Sequence, residues 1–92
     1  MSDNDQPEPE GFVYPTVIDI KVFARYQEGV RDIVKNVVLT VLDSKDFHGI
    51  TTKQSSKGNY QSLSCKVTAN SKEEMDDVFQ RLSSHPEIMM VL

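Results

Sequence analysis

The single sulfur nucleophile of this chain is Cys65, and it shares its parity along the chain with Leu63 and Val67. On a strand that parity places the thiol on the apolar face, where cysteine behaves as a small buried hydrophobe. A catalytic thiol needs an exposed, electropositive setting with a base beside it, and His48 and His85 both lie far along the chain. Two histidines and one cysteine at wide spacing offer no zinc signature. Glu73, Glu74, Asp76 and Asp77 form the densest carboxylate group. They fall in the first turns of a helix, where the macrodipole favours negative charge, and that accounts for them without acid–base catalysis. No triad, phosphate loop or dinucleotide fingerprint is present. The reading is therefore not an enzyme, with no catalytic residue, no metal and no cofactor expected.

The stretch Ser55, Ser56, Lys57, Gly58, Asn59 and Tyr60 is the most informative one. Structurally it is turn chemistry, with Gly58 and Asn59 the residues most tolerant of positive φ. Functionally, two hydroxyls, a lysine and flexible backbone amides can hold an anion or a partner's carboxylate. Both readings stand at this point: a polar hairpin turn, or a small exposed binding site.

The elements that would carry these residues follow from periodicity. Thr16–Ala24 alternates, with Ile18, Ile20 and Val22 on one side and Asp19 and Lys21 on the other, which predicts a half-buried strand. Arg25–Gly29 breaks that pattern. Val30, Ile33, Val34, Val37, Val38, Val41 and Leu42 then line one face of a helix, and Asp43–Asp46 closes it. His48–Gln54 predicts a second strand and Tyr60–Ala69 a third, joined by the polar turn into an antiparallel hairpin. Ser71 to Glu74 reads as a capping box. It opens a second amphipathic helix through Met75, Val78, Phe79 and Leu82, which Pro86 ends. Glu87–Leu92 reads as a short terminal strand. The order β-α-β-β-α-β predicts an α+β, ferredoxin-like fold: a four-stranded antiparallel sheet with two helices on one face. The other sheet face is bare, lined in part by Asp19, Lys21, Lys53, Ser62, Ser64 and Lys66.

The 92 residues suffice for one small domain. The formal charge of −4 is unevenly placed: Asp3, Asp5, Glu8 and Glu10 lie in the first ten residues, which hold no base. Residues 1–13 are accordingly expected to be a disordered acidic leader, and 14–92 a single domain whose ten acids balance ten bases. No apolar run approaches the ~18 residues of a membrane span, and no basic, apolar secretory signal opens the chain. A cytoplasmic location suits the lone thiol.

The same topology carries RNA-recognition modules, which need basic charge and stacking aromatics on the bare face. Here Lys57, Gly58 and Tyr60 faintly echo their third-strand motif, yet Ser62 and Ser64 stand where a reader carries aromatics and Asp19 repels phosphate. Single-stranded RNA binding on the open face, through Lys21, Lys53, Lys57, Tyr60 and Lys66, is the alternative function and not the expected one.

With Ser55 to Tyr60, then Ser62 and Ser64, and the closing Met90, Val91 and Leu92, the span from Pro15 to Leu92 resembles the YbeD-like family of small bacterial proteins. The resemblance implies a fold similar to the ACT-type regulatory domains of amino-acid metabolic enzymes, and it supplies no catalytic residues. Such domains commonly pair side by side and take amino acids near the loop between first strand and first helix. That implies a role for Arg25, which can meet a carboxylate, and for Gly29, which either permits close backbone approach or merely starts the helix. The resulting expectation is a small regulatory or adaptor domain that acts through protein contact and is tuned by a small ligand such as an amino acid. The protein partner is unidentified, and a homodimer through the exposed edge strands stays open.

Overall fold

The computed structural model describes residues 13–55 and 57–92. The acidic leader, apart from an exposed Val13, and Ser56 lie outside the described residues. Six principal elements follow in chain order: β1 (Thr16–Arg25), α1 (Val30–Leu39), β2 (Phe47–Gln54), β3 (Tyr60–Ala69), α2 (Lys72–Ser83) and β4 (Ile88–Val91). The sheet runs β2-β3-β1-β4 with every neighbouring pair antiparallel. This is the ferredoxin-like α+β arrangement expected from the periodicities.

One face of the sheet meets both helices. Ile20, Val22 and Ala24 of β1, with Leu63, Cys65 and Val67 of β3, are wholly buried against Val30, Val34 and Val38 of α1 and Met75, Val78 and Leu82 of α2. Burying each larger aliphatic side chain contributes roughly 1.5–3 kcal/mol. That gain holds α1 together despite its valines, which are only moderate helix formers.

The first helix is shorter than its apolar stripe. It ends at Leu39, because the Thr40 hydroxyl donates back to the Val37 carbonyl at 2.6 Å and occupies an acceptor of the last turn. The chain then coils once more, with the Leu42 amide donating to Val38 at 2.9 Å, so Leu42 still reaches the core. Helical spacing therefore continues three residues past the helix itself, to Leu42. A single 3-10 turn at Ser44–Asp46 leads into β2.

The second helix starts as a modified capping box. The Glu74 amide donates to the Ser71 hydroxyl at 3.1 Å, and the Glu74 carboxylate accepts from the Asn70 amide at 3.0 Å, one residue earlier than the standard return bond. Asp76 and Asp77 pair with Lys72 and Arg81 one turn away along α2. These carboxylates are explained by the helix they sit on.

The last strand lies at the edge beside β1. Phe23 pairs with Met90 and Ala24 with Ile88, so Met89 is an extra residue bulged out of the ladder. Leu92, just past the strand, still exchanges both backbone bonds with Lys21, at 3.0 and 2.8 Å.

Candidate functional site

Alternation along β1 and β3 presents a second set of side chains to the bare face. Phe23 stands there beside Ser62, its register partner, and Tyr60 stands beside Arg25. Phe23 and Tyr60 thus occupy diagonal positions on neighbouring strands, roughly 7–8 Å apart at the backbone. Met90 flanks Phe23 from β4, and the bulge adds Met89. Met89, Met90 and Tyr60 are each about half exposed, at 57%, 50% and 48%. Together these residues line an open groove of about 740 Å³, closed on the other side by Lys53, Gln54 and Ser55. That volume falls within the range of small-molecule sites.

The groove abuts the hairpin turn, whose Ser55 lines it, and that turn is joined to the β1–α1 loop. The loop from Tyr26 to Gly29 and the hairpin turn lie side by side, tied by the Tyr26 amide donating to the Asn59 carbonyl at 2.9 Å. A buried polar group locks the pair. The Gln61 carboxamide, 6% exposed, donates to the carbonyls of Arg25 at 3.1 Å and Gln27 at 3.4 Å. Gln27 in turn donates to the Glu87 carboxylate, which brings in the turn before β4.

The residues singled out in the sequence are placed as follows. Arg25 and Tyr60 face each other on the bare sheet face, and Asn59 braces the β1–α1 loop. Ser55 organises the turn: its amide donates to the Tyr60 carbonyl, its hydroxyl accepts from the Tyr60 amide at 3.2 Å, and its carbonyl accepts from Gly58 at 3.0 Å. The amides of Gly58 and Tyr60 are thus already committed to the turn, and the open chemistry lies in the adjoining groove. Lys57 is exposed. Gly58 and Gly29 both have positive φ, at +76° and +90°. Gly29 is the N-cap of α1, its carbonyl accepting from Ile33 at 3.0 Å. Ser56 lies outside the described residues.

The remaining reactive side chains are engaged locally. Cys65 is fully buried, and burial, with a contribution from the Asp19 carboxylate, pushes its thiol up to about 11. His48 bonds Thr68 at 2.6 Å, and the His85 ring accepts from the Glu87 amide at 3.1 Å. Among the described residues no group of His, Cys, Asp and Glu has a metal-holding arrangement.

Charge is segregated in a way the totals conceal. Among the described residues, Lys21, Arg25, Lys53 and Lys66 stand on the bare face against a single carboxylate, Asp19, which lies opposite Lys66. Nine of the domain's ten carboxylates belong to the helices and loops. The neutral domain therefore has a cationic sheet side.

Residues 9–92 match the family described as "Protein of unknown function (DUF493)". The chain belongs to the DUF493 family. A UPF0250 protein of Janthinobacterium sp. strain Marseille is 36% identical over 94 residues, covering all of both chains. The YbeD-like resemblance is thereby met. The DUF493 chain is also similar in fold to protein HP0495 of H. pylori, at TM-score 0.69 and 14% identity over 98% of each chain. The ACT domain from the GTP pyrophosphokinase of Chlorobium tepidum gives TM-score 0.66 at 10% identity, over 85% of this chain and 96% of that one. At those identities the likeness is one of fold. Among the described residues of this DUF493 protein, no helix is long and apolar enough to cross a membrane.

Three residues central to the groove were missed in the sequence: Phe23, Met89 and Met90. Phe23 was legible, since it continues the outward parity of Asp19 and Lys21. A run of four apolar residues from Met89 to Leu92 was also too apolar for a half-buried strand. Gln61 carried a signal as well, a carboxamide on the parity of Leu63, Cys65 and Val67.

Proposed function

We propose that this protein is a small cytoplasmic regulatory or adaptor domain that acts by contact rather than catalysis, and that a small ligand in the sheet-face groove tunes that contact. The observation that carries this reading is the apolar groove on an otherwise polar face, at the point where the β1–α1 loop and the hairpin turn are braced together by Gln61. Such a groove is a default ligand site when a few polar groups converge on it. The braced loops are the means by which occupancy would alter the surface offered to a protein partner. The likeness in fold to an ACT domain supports the same reading. The open edges of β2 and β4 are where a second copy would pair.

The test is an amide-resolved NMR titration of the full chain with an amino-acid pool and then with a bacterial metabolite extract. Saturable shifts confined to Phe23–Glu28, Gln54–Gln61 and Met89–Met90 are expected. Silence to both additions, or shifts scattered over α1 and α2, overturns the ligand-tuned reading.

Single-stranded RNA on the same face is the second reading. It is favoured by the four cations and by the diagonal placement of Phe23 and Tyr60, which suits base stacking. Ser62 and Ser64, between those aromatics and Lys66, weigh against it. RNA binding predicts affinity that falls steeply with salt and is lost in Phe23→Ala with Tyr60→Ala.

A further inference from the structure

The groove's chemistry narrows its ligand, granted the reading that it is a ligand site. Its floor is apolar, made by Phe23, Met89 and Met90, and among the described residues no acidic side chain lines it. The ammonium of a free amino acid would therefore find no carboxylate there. Asp19, the sole acid on this face among the described residues, is four residues from Phe23 along β1, roughly 13 Å away. That exceeds the screening length of about 8 Å at physiological ionic strength. Glu87, in the turn before β4, already accepts from Gln27.

Cations, by contrast, surround the aromatic ring's position. Lys21 and Arg25 are the outward neighbours of Phe23 on its own strand, each roughly 7 Å distant at the backbone. Lys53 lies across from Ser62, which itself lies across from Phe23, and it lines the groove. None of these three is ion-paired among the described residues. The hydroxyls of Ser55 and Tyr60 lie at the same rim. An apolar floor with cations and hydroxyls at its border complements a molecule with a greasy body and a negative head.

We propose that the groove binds an amphipathic anion: a small organic acid without an ammonium group, its apolar body on Phe23, Met89 and Met90 and its anionic head between Lys53 and Arg25. The amino-acid ligand that the ACT likeness implies is thereby replaced by a class chosen from the lining itself.

The experiment titrates the isotope-labelled full chain with matched probes that share a body and differ in head. These are 4-phenylbutyrate and decanoate, the corresponding amines 4-phenylbutylamine and decylamine, and zwitterionic phenylalanine, all below micelle-forming concentration. The carboxylates are expected to give saturable shifts at Phe23, Lys53, Tyr60, Met89 and Met90, with the amines and phenylalanine at least about tenfold weaker. Lys53→Gln should weaken the carboxylates about two- to fivefold, within the range for one partly exposed charge, without moving the melting temperature. Amines or phenylalanine that bind these residues as well as the carboxylates do would overturn the anionic class while leaving a ligand groove in place. No saturable shift from either carboxylate also overturns the inference. If the metabolite extract is silent too, the ligand-tuned function falls with it. Carboxylate binding unchanged in the double variant Lys53→Gln, Arg25→Gln overturns the assigned head-group position.

Discussion

Arg25 and Tyr60 stand opposite one another as the final pair of the β1–β3 ladder. Each is the last or first residue of its strand, so the segments beyond them, the β1–α1 loop and the hairpin turn, emerge side by side. The two candidate segments of the sequence are thus neighbours, joined by the Tyr26 amide donating to the Asn59 carbonyl. Gln61, next to Tyr60 but on the buried side, fastens them together.

Replacing Gln61 with Met keeps the volume and removes the donor. The carbonyls of Arg25 and Gln27 then lose a buried partner, and a cost of about 1–3 kcal/mol is expected in urea unfolding. Amide hydrogen exchange should rise in Tyr26–Gly29 and Lys57–Asn59 more than in α2. A loss below ~0.5 kcal/mol with unchanged exchange would show that the two loops hold together without it.

Gly29→Ala separates the two roles given to that glycine. An added Cβ meets nothing within 4 Å, but the backbone at φ +90° is unfavourable for alanine, at about 1–2 kcal/mol. Reduced stability with unaltered ligand affinity is expected, because the residue serves as the N-cap of α1. Lost affinity at full stability would instead show close approach of a ligand to the backbone.

Cys65 sets an alkaline limit on the fold. Its native thiol titrates near 11 against a reference of 9.0, so the unfolded chain releases this proton first as pH rises. Stability should be unaffected by this group below about pH 8. Between pH 9 and 11 it should decline by about 2 kcal/mol more than in Cys65→Ala. Urea midpoints across that window measure the difference, and equal slopes would refute it. Iodoacetamide at pH 7.5 should leave the folded thiol unmodified until denaturant is added.

Met89→Ser combined with Met90→Ser tests the groove apart from the fold. Both side chains are half exposed, so each change should move stability by no more than about 0.5 kcal/mol. Ligand-induced shifts at Phe23 and Tyr60 should vanish. A large fall in melting temperature would assign the methionines to the core's stability rather than to contact.

Much of the fold was legible because alternation in β1 and β3 and the Ser71 cap each have one physical reading. The length of α1 was not, since the Thr40 hydroxyl competes for a carbonyl that the apolar spacing takes no account of. At the site, Lys53 and Tyr60 could be placed on the bare face from parity alone. Their nearness to Met89 could not, because it depends on a bulge at Met89, opposite Phe23 and Ala24, that no residue type announces. The juxtaposition of Arg25 with Tyr60 likewise follows from register, a relation between segments distant in sequence.

The division of charge between the sheet side and the helix side has a kinetic consequence. A domain with no net charge of its own still carries a dipole when its sheet side holds a surplus of cations and its helix side, where five bases meet a larger number of carboxylates, a surplus of acid. In the field of an acidic partner such a body feels a torque before it feels contact, and it turns its cationic side forward during approach. Encounters are thereby biased toward the productive orientation, and the association rate should fall with added salt even though the domain's charges sum to zero.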